Sequence, residues 1–197
     1  MNEYVPQVVP TRRPVVFWLV SAATVLGLVS LILVAPIAAA DGHNGLAFAI
    51  YRAFGTFCHQ KPERSYFIDG HKFAVCARCT GIYFGFAFTL LLYPLVRSLR
   101  STVTPPRSLL VFATLPLAID FSLTFFGIWE NTHTSRLLTG ALLGSVAVFY
   151  VMPGIVDVSL RSLTNRINAP RPVTFTLASP ERIAAAPSDY SAPDRRI

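Results

Sequence analysis

Four long apolar runs organise the chain. The first, Val15 to Ile37, holds 23 residues without a charge. An α-helix needs roughly 20 such residues to cross a hydrocarbon core of about 30 Å. The second runs from Thr80 to Val96 between Arg78 and Arg97, with helix expected from near Cys76 and a taper at Pro94. The third, Leu109 to Trp129, is interrupted by one carboxylate, Asp120, and the fourth is Leu137 to Val158. With their flanks they predict spans at 15–37, 79–97, 108–129 and 137–158, joined into a membrane domain over 15–158.

The polar segments complete the pattern. Residues 1–14 form a short polar N-terminal segment. Arg97 to Arg107 is a basic turn whose "TPP" cannot continue a helix. "ENTHTSR" reads as a polar turn before the fourth span. The loop 41–78 opens with "NGLAFAIYRAFGTFC", which sets Leu46, Ile50, Phe54 and Phe57 at helical spacing. This predicts a short amphipathic helix lying at the interface or against the bundle. The tail 159–197 is rich in Arg, Pro, Ser and Ala, a composition expected to stay disordered. The fold class is therefore an all-α membrane bundle of four transmembrane helices. Its outer face carries the amphipathic helix and a Cys/His loop.

Two G-x-x-x-G pairs, Gly81/Gly85 and Gly140/Gly144, sit in the second and fourth spans. Such pairs let helix backbones approach closely where lipid supplies no hydrophobic force between helices. Glycine merely tolerated in a span would look the same. "APIAAADG" resembles a signal-cleavage site, but the apolar run before it exceeds the about 7–15 residues of a secretory core. An uncleaved first span is the expectation.

Composition agrees with lipid as solvent. The chain is 53% hydrophobic and 14% charged, with mean hydropathy +0.51; soluble domains carry about 25% charge. The net charge is +7, and the arginines mostly flank the apolar runs. They read as topology determinants and lipid-headgroup contacts rather than a nucleic-acid face. The bilayer is the expected partner, and no nucleic acid is expected. With the N terminus inside, Arg12, Arg13, Arg97, Arg100, Arg107, Arg161, Arg166 and Arg171 lie on the cytoplasmic side. Arg52, Lys61, Arg64, Lys72, Arg78 and Arg136 lie outside. The balance favours a multi-pass cell-membrane protein with both termini cytoplasmic.

The candidate chemistry gathers at the mouth of the second span, in "CHQKPERSYFIDGHKFAVCARCTGIYFG". Three cysteines cannot all pair within one chain, so a disulfide framework is excluded. Cys76-Ala-Arg-Cys79 is one C-x-x-C knuckle, whose turn directs two thiolates to one point. Cys58 adds a third sulfur, and His59 or, as substitute, His71 a fourth ligand. A structural zinc site of Cys3His type is complete in composition. The same atoms fit a membrane thiol–disulfide oxidoreductase working with a quinone. A C-x-x-C at a helix N terminus has a lowered thiol pKa, Arg78 adds positive charge, and Cys58 could resolve a disulfide. The usual two cysteine pairs of such enzymes would need four thiols. Free cysteines also serve as small buried apolar residues.

The strings "CHQKPERS", Gly70, "VCARCTGIYFG", "PLAIDF" and "RLLTG" occur in that order between Cys58 and Pro153. In them the chain resembles the bacterial membrane-protein family called domain of unknown function 2085. The resemblance implies a multi-span membrane protein and groups Cys58, His59, Cys76 and Cys79 as one constellation. It implies no reaction. Arg64, inside the same string, suits a loop-fixing or anion-binding role, whereas Glu63 reads as a solvated charge. Asp120 should face the bundle, paired with Arg136 or set beneath the Cys/His site; a transporter or channel subunit using Asp120 is the third functional reading. His43 and His133 read as surface and loop histidines.

Overall fold

The computed structural model describes residues 12–167, with side chains through 158. The chain is mostly helical: α1 Arg13–Ala40, α2 Asn44–Gly55, α3 Ala77–Val96, α4 Arg107–Phe125 and α5 His133–Ile167. Four of these, all but α2, are long and apolar enough to cross a membrane. The loop 41–76 and the turn 126–132 share one end of the bundle, where they line a common cavity.

The helix ends follow local chemistry. Pro14 opens α1, where a missing N–H costs nothing. Gly42, at φ +79°, closes it in the left-handed conformation, and the His43 N–H returns to the Ala38 carbonyl at 2.8 Å. α4 ends at Phe125, earlier than the expected Trp129, because Gly127 turns at φ +69°. α5 begins at His133, so the second half of the polar turn is helix. It also continues to Ile167, so residues 159–167 are helical rather than part of a disordered tail. No proline interrupts 154–169, and the next one stands at 170. The rest of that tail and residues 1–11 lie outside the described residues.

α3 and α5 form the centre of the bundle through their glycines. A Cβ at Gly81 would overlap the Leu137 carbonyl oxygen, and one at Gly85 the Ala141 oxygen. From the other side, Gly140 faces the Arg78 oxygen and Gly144 the Ile82 oxygen. All four glycines therefore serve one backbone-to-backbone crossing, and Ser145 Oγ donates to the Gly85 carbonyl at 3.2 Å. α1 joins through Trp18 Nε1, which donates to the Leu90 carbonyl at 2.8 Å. Ala22, Leu90, Tyr93, Val148 and Met152 fill the space below. α4 packs mainly on α5 and buries only Ala113. Its exposed Val111, Phe112 and Ile119 suit a lipid-facing surface.

At the loop end, Ile32 and Ala35 of α1 meet Ile50 and Phe54 of α2, together with Cys58, Ala74 and Val75. The buried face of α2 is Ala47, Ile50 and Phe54. Leu46 is half exposed and Phe57 lies beyond the helix end at 84% exposure, so neither belongs to the predicted stripe. The loop also holds a hairpin, β1 Phe67–Ile68 paired with β2 His71–Lys72. Asp69 and Gly70 form its turn at φ +50° and +77°, the signs a type I′ turn requires.

Candidate functional site

Cys76 is the N-cap of α3 and Cys79 lies in its first turn, so the C-x-x-C spans the helix mouth. Cys58 follows the end of α2, where its N–H bonds to the Phe54 carbonyl at 3.0 Å and its side chain is buried. The Cys76 N–H donates to Cys58 Sγ at 3.2 Å. All three sulfurs lie within 4.8 Å of one another. Tetrahedral coordination with bonds of about 2.3 Å would set them about 3.8 Å apart. All three cysteines are free thiols. Hydrogen bonds from Cys58 and then Cys79 draw the Cys76 thiol well below the ordinary thiol range; burial opposes this, and the N–H groups of Cys79 and Arg78 add to it.

The histidines do not join the sulfurs. Among the described residues, no His, Asp or Glu atom completes the group at that distance. His59 is exposed and stands on the wall of the same cavity. The next residue, Gln60, turns the chain at φ +49°. His71 sits on β2, opposite Ile68 and exposed. His133 opens α5 with its ring tilted over Tyr66, 5.5 Å between centroids. His43 is exposed before α2.

Between the two cysteines, Arg78 leaves α3 and reaches α4. Its Nη2 lies 2.5 Å from Asp120 Oδ2, and its guanidinium covers the Phe121 ring at 5.8 Å. Asn131 Nδ2 donates to the same carboxylate at 2.7 Å, and Ser135 Oγ donates to Oδ1 at 2.8 Å. Arg136 is not the partner of Asp120. Its Nε donates to Asn131 Oδ1 at 2.5 Å, so the turn residue stands between them. Asp120 lies about 7.5 Å from the C-terminal end of α4, near the level of the first turn of α3. That depth explains why Arg78 reaches it directly. Arg78 Nε is buried and makes no hydrogen bond.

A cavity of about 390 Å³ opens beside this group. Cys58, Cys76 and Cys79 border it on one side. Lys61, Arg64, Arg78 and Arg136 give it a basic wall, and Ile82, Phe121 and Phe125 an apolar one. The loop above is held by a network that sequence reasoning missed. Tyr51 Oη donates to the Lys72 carbonyl, Lys72 Nζ to the Gln60 carbonyl at 2.7 Å, and Gln60 Nε2 to the Tyr51 carbonyl at 2.7 Å. The "CHQ" string contained Gln60, and the "DG" pair signalled the hairpin that carries Lys72. Asn131 and Ser135 gave no such signal within a polar turn.

Comparison with known proteins places the chain in a wider group. An uncharacterised protein of Methanocaldococcus jannaschii is 38% identical over 108 residues, 55% of this chain and 69% of that protein. An uncharacterised protein of Methanothermobacter thermautotrophicus is 39% identical over 87 residues, 44% of this chain and 77% of that protein. No solved structure matches the chain. The family described as "Predicted membrane protein (DUF2085)" matches residues 58–150, from the first cysteine of the site to the middle of α5. On that match and the likeness to these relatives, the chain, with its four membrane-length helices, belongs to that family of membrane proteins.

Proposed function

We propose that this multi-pass membrane protein holds a zinc ion at Cys58, Cys76 and Cys79, at the mouth of α3. The observation that carries the reading is the convergence of three sulfurs from two chain segments. An all-sulfur donor set suits zinc among the common divalent ions. The Cys76 N–H directed at Cys58 Sγ favours the thiolate form that a metal needs. The fourth position falls to His59 or to a ligand entering from the cavity. The ion's role is structural. Ordering the loop costs roughly 1–2 kcal/mol of backbone entropy per residue. A structural zinc contributes about 10–16 kcal/mol in peptide cases, and here it would tie that loop to α3.

Metal analysis of the purified protein, beside a free-thiol count, tests this. The expected result is about one zinc per chain. Cys58→Ser and Cys79→Ser should each lose most of it, to a similar extent. Protein without metal but with a Cys76–Cys79 disulfide would overturn the reading and put the thiol–disulfide chemistry in its place.

The site end of the bundle faces outward in this proposal, with both termini cytoplasmic. Support comes from the arginines at the opposite end. Arg78 and Arg136 belong to helices and to the buried network, so the outer loops keep fewer free cations than a plain count suggests. A reporter fused after Ile167 should be active only in its cytoplasmic form. Activity of the periplasmic form would invert the topology.

A further inference from the structure

The cavity beside the cysteines has more positive charge than its surroundings balance. Lys61, Arg64, Arg78 and Arg136 line it, and among the described residues the one carboxylate bonded into this set, Asp120, is taken up by Arg78. A divalent ion on three thiolates would add a single negative charge, so the site stays positive with or without metal. Arg136 is the sharpest case. It is only 8% exposed, it borders the cavity, and among the described residues its side-chain partner is the neutral Asn131. Its nearest carboxylate, Asp120, reaches it only through Asn131 and is already bonded to Arg78, and a buried guanidinium with no direct anionic partner is costly unless a further anion reaches it. Planar guanidinium groups match the oxygens of carboxylates and phosphates.

The opposite wall is apolar. Ile82 of α3 and Phe121 and Phe125 of α4 face the same space, and the two phenylalanines are more than half exposed. α4 leans on α5 rather than on α3, so this wall continues between two helices that cross the hydrocarbon region. A free inorganic ion would use the basic half alone. An oxyanion attached to an apolar chain would use both halves.

We propose that the cavity binds an anionic amphiphile, its phosphate or carboxylate held between Arg136 and Arg64 and its apolar part lying along Ile82, Phe121 and Phe125. The cysteine sulfurs border the headgroup position. The proposal does not rest on zinc, because the clamp is built from residues that ligate no metal.

Calorimetric titration of the full chain in a neutral detergent tests it. The probes are short-chain phosphatidic acid, decanoate, phosphatidylcholine of the same chain length and inorganic phosphate. Saturable one-to-one binding of phosphatidic acid or of decanoate is expected, and which of the two binds identifies the source of the oxyanion. Phosphatidylcholine and inorganic phosphate should bind at least about tenfold more weakly. Arg64→Gln and Arg136→Gln should each weaken the bound amphiphile at least about tenfold. Arg136→Lys should recover only part, and Arg52→Gln, on α2 away from the cavity, should change nothing. Arg64 is exposed, so its variant decides the matter if Arg136→Gln fails to fold. The zinc content of Arg64→Gln should equal that of the parent, which separates this proposal from the metal reading. Three results would overturn it: no binding of either anionic amphiphile, equal binding of phosphatidylcholine or inorganic phosphate, or unchanged binding in Arg64→Gln.

Discussion

Gly85→Ala and Gly140→Ala should each destabilise the bundle severely, while Gly27→Ala in α1 should not. A Cβ at Gly85 would overlap the carbonyl oxygen of Ala141, and one at Gly140 the carbonyl oxygen of Arg78. Neither obstacle is the end of a flexible side chain. Relief requires moving α3 away from α5 along the whole crossing. Overpacking against movable side chains costs about 1–3 kcal/mol, and backbone overlap should reach or exceed the upper end. The displacement would also loosen the weak Cα–H···O contacts of such crossings and the Ser145–Gly85 hydrogen bond. Gly27 has nothing within 4 Å of its would-be Cβ. Alanine there should gain helix propensity, up to about 1 kcal/mol. Thermal unfolding of the purified protein in one detergent compares the three directly. Equal midpoints for Gly85→Ala and the parent would mean that α3 and α5 do not meet at these glycines.

The glycine pairs show where sequence reading stops. Their spacing was visible, but each pair alone fits a helix that merely tolerates glycine. What distinguishes them is that the two pairs face each other, and one-dimensional spacing cannot tell which helices meet. The spans were legible because lipid demands long uncharged runs. Their ends shifted where turn chemistry decided, at Gly127 for α4 and at the first turn of α5. The gathering of Cys76 and Cys79 followed from local geometry. Cys58 arrived through the packing of α2 on α1, which seats Phe54 and then the thiol. The histidines had the right composition, yet His71 is carried away on a two-residue hairpin and His59, beside Cys58, stands on the cavity wall outside the sulfur group. For α2, helical spacing picked Ile50 and Phe54 correctly. It failed at Leu46, which is half exposed, and at Phe57, where the helix had already ended.

Asp120→Leu should be the most damaging single change at the site, and Arg78→Met should partly rescue it. Asp120 was legible as an inward-facing carboxylate, because an ionised group costs roughly 2.5–3.5 kcal/mol at the centre of a span on insertion scales, and less toward its end. Its partner was not legible, since Arg78 and Arg136 both lie at the right end of the bundle. The side chains of Arg78 and Asp120 are 20% and 10% exposed. Removing one member of a buried ion pair typically costs about 3–5 kcal/mol, because the other charge stays behind. Here Arg78 already leaves Nε unpaired, so it has little alternative bonding to fall back on. Asp120→Asn distinguishes two roles. A carboxylate acting only as a hydrogen-bond acceptor would tolerate the amide. A counter-ion would not: the amide carries no charge and offers one oxygen where Arg78, Asn131 and Ser135 all donate to the carboxylate. The expected order of stability is therefore parent, then Asp120→Asn, then Asp120→Leu, with the Arg78→Met/Asp120→Leu pair above Asp120→Leu alone. Because Arg78 stands between Cys76 and Cys79, a displaced guanidinium should also disturb the first turn of α3 and lower zinc retention in the single variant. Unfolding midpoints and metal content of the parent, Asp120→Leu, Arg78→Met and the double variant measure both effects. Additive losses in the double variant would show that the pair is not coupled, and would leave Asp120 a role through Asn131 and Ser135 alone.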